Sequence, residues 1–266
     1  MRISLIQMNS TDDKAKNLEK AQGFIDEAAN AGSEIISLPE TFSWLGPDSE
    51  KSRIAEPAEG ETVSMLSEAA KKHNVIIHGG SIFESAMDEG KCSNTSFFFG
   101  KDGEISAVYR KIHLFDAVIN GKEYLESEYV VPGKDIVVCE ADFAVFGFSI
   151  CYDLRFPELY RDLSENDAQI VFVPAAFTIP TGKAHWEVLL RARAIENQVF
   201  IIAPAQVGTD SSGKEYYGHS MIIDPWGTIL ARADGTSEGV ISAEIDLEFL
   251  EETRNKLPSL KHRKLP

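Results

Sequence analysis

Cysteine, positive charge and long apolar runs are all scarce in this sequence. Only three cysteines occur among 266 residues, so we predict no disulfide framework and a reducing compartment, the cytoplasm. There are 26 Lys and Arg against 42 Asp and Glu, and the net charge of −16 argues against a general nucleic-acid or membrane partner. No run approaches the roughly 20 apolar residues of a membrane-spanning helix, and the start of the chain has too short an apolar run for a signal peptide.

Motifs for metals and nucleotides are also missing. The six histidines show no HxH, HExxH or Cys-His spacing, so no metal site is predicted. The pair Gly79-Gly80 is not accompanied by the rest of a phosphate-binding pattern. We therefore expect no cofactor, and any chemistry has to come from the side chains themselves.

The sequence does contain a regular alternation of apolar runs and helical spacing. Three apolar runs, RISLIQM, EIISLPE and VIIHGGSIFE, are typical of buried strands, and amphipathic spacing predicts helices between them. Further on, pairs of apolar runs around short polar turns predict hairpins. The predicted helices cover residues 13–31, 59–73, 157 onward and 184–197, the hairpins 95–111, 135–151 and 221–231, and the other strands 169–177, 199–207 and 239–247.

This order of elements predicts an α/β fold. Parallel strands need crossover helices and hairpins add antiparallel neighbours, so we expect two mixed β-sheets with helices outside them, in a layered sandwich. No repeat and no linker rich in Pro, Gly or Ser interrupts the pattern. The prediction is a single domain over residues 1–266, with the basic residues 257–266 as a C-terminal tail.

Three reactive side chains stand where predicted strands end. Glu40 follows EIISLP, Lys111 follows EISAVYR and Cys151 follows AVFGFSI. Ligands of α/β sheets bind beyond the carboxyl ends of strands, so these side chains are expected to converge. A thiol with a pKa of about 8.5 needs a base, which the glutamate supplies, while the lysine stabilises the thiolate and an oxyanion. The backbone N–H of Tyr152 is a second expected oxyanion donor.

Each of these residues also has an ordinary structural interpretation. A cysteine that ends an apolar run is more often a small buried hydrophobe. A Glu after Leu-Pro is more often a turn residue, and a Lys after Arg is more often a surface residue. Only the three together favour acyl transfer through a thioester. A binding scaffold without turnover and a redox-sensing thiol protein therefore remain as alternatives.

Three segments resemble a known family. LPETFSW, YRKIHLFD and SICYDLRFPELY are similar to the signature segments of the nitrilase superfamily of carbon–nitrogen hydrolases, and the similarity runs from RISLIQMNS to the carboxyl end. The resemblance implies a four-layer αββα sandwich and a catalytic Glu-Lys-Cys triad, which falls on Glu40, Lys111 and Cys151. It also implies a second glutamate, Glu126, that orients and supports the lysine.

Within the superfamily, the segments TGKAHWEVLLRARAIENQ and YGHSMIIDPWGTILA look closest to the Nit branch. That similarity implies a cysteine-dependent amidase that hydrolyses a small carboxylate-bearing primary amide and releases ammonia, of the deaminated-glutathione amidase type. An omega-amidase acting on 2-oxo acid amides is the alternative. Arg155, Phe177 and Thr178 are the expected substrate-binding residues. The family also implies a homodimer or larger homo-oligomer that packs through outer helices.

Overall fold

The computed structural model describes residues 1–86, 90–119 and 121–264. Residues 265 and 266, the end of the predicted tail, lie outside the described residues. The helices are α1 (Lys14–Asn30), α2 (Lys51–Ile54), α3 (Glu61–His73), α4 (Pro157–Glu165), α5 (Ile179–Asn197) and α6 (Leu247–Lys256). Within the described ranges, no helix is long and apolar enough to cross a bilayer.

The strands form two large mixed sheets and two small hairpins. The first sheet has β1 (Arg2–Gln7), β2 (Ile35–Ser37), β3 (Ile76–His78), β4 (Ile82–Ser85), β5 (Cys92–Phe99), β6 (Ile105–Arg110) and β17 (Gly239–Glu244). The small hairpins are β7 (Asp116–Ile119) with β8 (Lys122–Leu125), and β13 (Val207–Thr209) with β14 (Glu215–Tyr217). The second sheet has β9 (Val138–Ala141), β10 (Ala144–Phe148), β11 (Ile170–Phe172), β12 (Phe200–Ala203), β15 (Met221–Ile223) and β16 (Ile229–Arg232).

Each large sheet has a parallel centre and antiparallel edges. In the first sheet β1, β2 and β3 are parallel, and β17 and β5 flank them in the opposite direction. In the second sheet β10, β11 and β12 are parallel, with β9 and β15 antiparallel on either side. The parallel centres follow from the crossover helices, and the antiparallel edges follow from the hairpins.

Apolar side chains on both faces of each sheet build four layers. Successive residues of a strand point to opposite faces, and in β2 Ile35 lies between the sheets whereas Ile36 faces the layer of α1 and α3. In β11 Phe172 likewise lies between the sheets, whereas Val171 faces α4 and α5. These are the layers of an αββα sandwich, so the predicted fold is confirmed.

The structure refines two predictions about individual elements. VIIHGGSIFE is one strand direction broken into two pieces, because β3 and β4 both run antiparallel to β5 and the register shifts by one residue between them. Gly80 lies in this interruption at φ +56°, and a Cβ there would lie 2.1 Å from the carbonyl oxygen of Pro39, so only glycine fits. Helix α5 begins at Ile179 rather than at Ala184, because Pro180 is tolerated in a first helical turn. The sequence analysis also missed α6 and both small hairpins.

Candidate active site

The three predicted reactive residues lie just beyond strands rather than at their last positions. Glu40 follows the end of β2 at Ser37, Lys111 follows Arg110 of β6, and Cys151 follows the end of β10 at Phe148. All three line one pocket. The short connections after these strands therefore carry the functional groups, as expected at the carboxyl edges of α/β sheets.

Glu40 is buried and held by donors on both carboxylate oxygens. Its Oε1 accepts hydrogen bonds from Lys111 Nζ at 3.0 Å and from Asn94 Nδ2 at 2.9 Å. Its Oε2 accepts from the backbone N–H of Ala176 at 2.8 Å. The Nε2 of Gln206 donates to the Glu40 carbonyl oxygen at 2.9 Å. The backbone and the side chain of Glu40 are thus both fixed, and its carboxylate is held at the pocket wall.

Lys111 lies between two carboxylates, and its side chain is only 2% exposed. Its Nζ is 3.0 Å from Glu40 Oε1 and 2.9 Å from Glu126 Oε2. Burial alone would lower the pKa of the Lys111 ammonium, but the charges of Glu126 and Glu40 raise that pKa well above its ordinary value. The lysine therefore remains a cation at neutral pH.

Glu126 is held in place by a second, separate contact. Its Oε2 accepts the backbone N–H of Phe115 at 2.6 Å. Burial would raise the pKa of the Glu126 carboxyl, but Lys111 and then Lys51 outweigh it, and the pKa lies below its usual range. A charged glutamate behind the ammonium is the arrangement expected for a residue that orients Lys111.

Cys151 begins a single turn of 3₁₀-helix that runs to Arg155, and its backbone is in the left-handed region at φ +48°. This conformation is uncommon for a non-glycine residue and is found at functional sites. The Cys151 N–H donates to the Pro174 carbonyl at 2.9 Å. Burial and the Glu40 carboxylate raise the pKa of the thiol well above its usual value, against the opposing effect of Lys111. The resting sulfur is therefore protonated.

Asp153 joins the segment of the lysine to the turn of the cysteine. It is fully buried, and its Oδ2 accepts from the Tyr109 hydroxyl at 2.7 Å and the Ile150 N–H at 2.8 Å. Its Oδ1 accepts from the His113 N–H at 3.0 Å and contacts His113 Nδ1 at 2.7 Å. One carboxylate therefore fixes the relative position of two active-site segments.

The predicted substrate-binding residues line the same pocket as the reactive ones. Arg155, Phe177, Thr178 and Tyr152 all contribute to its wall. The Arg155 guanidinium lies 5.3 Å from the Phe177 ring centre and 5.6 Å from that of Tyr152. Among the residues that the structure describes, no carboxylate forms a salt bridge with Arg155. The structure thus brings every predicted site residue together.

Some site residues gave little sign of their role in the sequence. Asn94 is a polar residue inside the buried strand β5, and the Ala176 N–H belongs to the loop after β11. A polar residue in a buried strand was the only available signal for Asn94. Within residues 1–86, 90–119 and 121–264, no group of three or more His, Cys, Asp or Glu is arranged to hold a metal ion.

The fold is a layered sandwich, and one pocket holds a thiol, a carboxylate and an ammonium. Hydrolases that act through a cysteine have this class of fold and site. The chain belongs to the carbon–nitrogen hydrolase family, whose model matches residues 2–255. It is 45% identical to deaminated glutathione amidase of Synechocystis, over 97% of this chain and 96% of that protein. It is 40% identical to the human omega-amidase NIT2, over 99% of this chain and 95% of that protein.

Solved structures agree with this assignment. Saccharomyces cerevisiae Nit3, a member of branch 10 of the nitrilase superfamily, superimposes with a TM-score of 0.90 at 34% identity. The match covers 100% of this chain and 97% of the Nit3 chain. The predicted membership of the nitrilase superfamily and its Nit branch is confirmed.

Proposed function

We propose that the protein is a cysteine-dependent amidase that hydrolyses small carboxylate-bearing amides, with primary amides as the simplest case. Glu40 takes the proton of Cys151 as the sulfur attacks the amide carbonyl carbon, and Lys111 and the Tyr152 N–H stabilise the oxyanion. Glu40 then returns this proton to the leaving nitrogen, the C–N bond breaks, and ammonia departs from a thioester. Glu40 next activates water, which attacks the thioester and releases the acid and the thiol.

The observation that carries this proposal is the shared position of Glu40 between the lysine and the thiol. Its carboxylate accepts from Lys111 Nζ at 3.0 Å and stands close enough to Cys151 to raise the pKa of the thiol. A base must have a proton within reach, and the raised pKa means that the proton is still on sulfur when substrate binds. Glu126 supports the reaction by keeping the ammonium charged and in place.

The substrate class is supported by the pocket wall. Arg155 is a cation on the turn that begins with the nucleophile, and it lies against the Phe177 ring. We propose that it binds the carboxylate of the acyl portion, with Phe177 and Thr178 as the adjacent wall. Relatives named for two substrates, deaminated glutathione and omega-amides, support 2-oxo acid amides as the first compounds to test. Deaminated-glutathione amidase activity is our first candidate; its scissile amide is secondary, so the same steps release an amine in place of ammonia. Omega-amidase activity, with ammonia as the product, is the second.

The chemistry of the site disfavours the two other functions considered from the sequence. Oxidation acts on thiolates, whereas burial and Glu40 raise the pKa of the Cys151 thiol and keep it protonated. A binding scaffold does not need a buried cluster of two carboxylates, an ammonium and a thiol, and burying such charges is costly.

We further propose a homodimer that forms through the outer face of α5. Val188 is 68% exposed there, and Ile195 lies on the same helix face about two turns further on. Trp226, on the turn between β15 and β16, is 60% exposed. These apolar groups favour a protein partner over water. The unbonded state of all three cysteines supports our proposal of a reducing, cytoplasmic compartment.

Ammonia release from 2-oxoglutaramate tests the proposed activity. The parent protein should release ammonia and 2-oxoglutarate in equal amounts, and Cys151→Ala should have no measurable turnover because no thioester can form. Cys139→Ala is the matched control, because Cys139 is a half-buried thiol on β9, away from the pocket, and it should retain the parent rate. Turnover by Cys151→Ala near the parent rate would overturn the proposal.

A further inference from the structure

The two donors proposed for the oxyanion come from different segments of the chain. Lys111 follows β6 of the first sheet, and Tyr152 belongs to the 3₁₀ turn that follows β10 of the second sheet. Among the described residues, no carbonyl oxygen accepts a hydrogen bond from the Tyr152 N–H, so this donor is available to substrate. Both donors have to lie at hydrogen-bond distance from the same oxygen atom. The gap between the two segments therefore has to be fixed.

Asp153 is bonded to the chain on both sides of Lys111. Its Oδ2 accepts from the Tyr109 hydroxyl at 2.7 Å. Its Oδ1 accepts from the His113 N–H at 3.0 Å and contacts His113 Nδ1 at 2.7 Å. Tyr109 lies two residues before the lysine and His113 two residues after it, and the His113 ring stacks on Phe156 with ring centres 3.6 Å apart. The main chain on either side of the lysine is thus tied to the segment of the cysteine.

The same carboxylate anchors the main chain around Cys151. Its Oδ2 accepts the N–H of Ile150, the residue before the nucleophile, at 2.8 Å, and Asp153 itself lies two residues after the nucleophile. Cys151 is held at φ +48°, a conformation that persists only where surrounding contacts enforce it. Tyr152 lies between the two anchored positions, so these contacts also set the direction of its N–H.

The side chain of Asp153 has no contact with the pocket itself. Asp153 is fully buried and is not among the described residues that line the pocket. An ionised carboxylate only accepts hydrogen bonds, and burying one without donors is costly. Its four donors all come from the lysine segment and the cysteine segment. Asp153 can therefore act on the reaction only through the groups that it positions.

We propose that Asp153 is a positioning residue that sets the distance between the two oxyanion donors, Lys111 and the Tyr152 N–H. This rests on the proposed amidase function and adds to it the contacts that assemble the oxyanion site. The same two donors stabilise the oxyanion formed when sulfur attacks the amide and the oxyanion formed when water attacks the thioester. A displaced donor should therefore slow both steps alike and leave substrate binding unchanged.

Asp153→Asn tests this role, because it keeps the shape of the side chain and replaces one acceptor oxygen with an N–H₂ group that faces other donors. We expect kcat for 2-oxoglutaramate to fall about 10²-fold, as for the misplacement of a catalytic group, with KM within about twofold of the parent value. Since acylation and deacylation slow together, the fraction of acylated protein in acid-quenched samples should equal the parent fraction. Ammonia release and intact mass measure the two quantities.

Three variants in the lysine segment change single contacts of Asp153 and decide the question if Asp153→Asn does not fold. Tyr109→Phe and His113→Leu should each lower kcat about tenfold, as expected for one lost hydrogen bond to a charged group. His113→Asn should recover most of that loss, because its amide can donate to Asp153 as the imidazole does. Thermal unfolding identifies any variant that fails to fold.

Glu56→Gln is the matched control for the loss of a buried carboxylate. Glu56 is 8% exposed and accepts from the Thr62 N–H at 2.9 Å and from the Thr62 hydroxyl at the start of α3. It is not among the described residues that line the pocket. This variant should lose thermal stability much as Asp153→Asn does and keep the parent kcat. A carboxylate with a structural role alone would give Asp153→Asn the same result.

Parent kcat in folded Asp153→Asn, or in both folded Tyr109→Phe and His113→Leu, would overturn the positioning role. A changed fraction of acylated protein in Asp153→Asn would overturn it too, because only one of the two steps would then depend on Asp153. Either result leaves ammonia release by the parent, and with it the proposed function, intact. Absence of Cys151-dependent ammonia release by the parent would instead contradict the proposed function.

Discussion

Two regions of the molecule bury ionisable side chains, and they treat the charge of those side chains in opposite ways. Between the sheets, His78 is fully buried. Its Nδ1 pairs with the Ser37 hydroxyl at 2.8 Å, its Nε2 with the Ser96 hydroxyl at 2.9 Å, and its ring stacks on Phe172 at 4.2 Å. Burial lowers the pKa of His78 to about 3, so the imidazole is neutral.

The pocket holds the charges that the inter-sheet region excludes. Lys111 is as deeply buried as His78, yet the carboxylates of Glu126 and Glu40 outweigh its burial and raise its pKa. The histidine has hydroxyl partners and does not line the pocket, whereas the lysine has anionic partners and lines it. Burial of an ionisable group therefore does not indicate function. Retention of its charge next to a cavity does.

Removing the central charge of the pocket should have the largest effect. Lys111→Met keeps the volume of the side chain and leaves Glu40 and Glu126 without their shared cation. We expect turnover to fall by about 10³-fold, because an oxyanion donor is lost. We expect the free energy of unfolding to fall by about 3–5 kcal/mol, because one partner of a buried ion pair is missing. Steady-state kinetics and urea unfolding measure the two effects.

Lys256→Met is the matched control, because the pair with Glu252 is exposed and contributes little to stability. Parent-like turnover by folded Lys111→Met would contradict the assignment of an electrostatic role to this lysine.

Changing the neutral histidine should have the smaller effect, and only on stability. The folded pKa of His78 is lowered from 6.5 to about 3, so between these values the unfolded chain binds a proton that the folded chain does not. Protonation of this histidine in the unfolded chain therefore destabilises the fold as pH falls through that window, by roughly 1.4 kcal/mol per pH unit. His78→Gln should lose this component of acid sensitivity, lose about 1 kcal/mol of stability at neutral pH with the ring contact, and keep parent turnover.

Urea unfolding between pH 7 and pH 4 checks this prediction, with His262→Gln as the control because His262 is exposed. If His78→Gln and the parent lose stability with the same slope, the histidine is not held neutral, and the contrast between the two regions disappears.

The sequence predicts the fold well where apolar periodicity is strong. Strands β1, β11 and β12 bury every or nearly every residue, and such runs are readily recognised. Helix α6 was missed because only Leu250 and Thr253 of its residues are buried, so its amphipathic pattern is weak. The interruption of the strand at Gly80 was missed because its cause is the approach of the Pro39 carbonyl, a contact between segments that are distant in sequence.

The same difference between local sequence patterns and long-range contacts explains which parts of the active site could be predicted. Glu40, Lys111 and Cys151 could be predicted because each follows an apolar strand, and family resemblance added Glu126. The contacts that position these groups come from segments that meet only in the folded protein. The Ala176 N–H reaches Glu40 across the sandwich, and Asp48 meets Lys214 through two unrelated loops. Neither contact has a local sequence pattern.

Mass spectrometry of the protein during turnover tests most directly whether the pocket forms a thioester. The parent protein, quenched in acid while it hydrolyses 2-oxoglutaramate, should gain the mass of the acyl group, and peptide mapping should place that group on Cys151. The adduct should disappear when substrate is exhausted. Continued turnover with Cys151 never acylated, or an acyl group found instead on Cys92 or Cys139, would contradict the account.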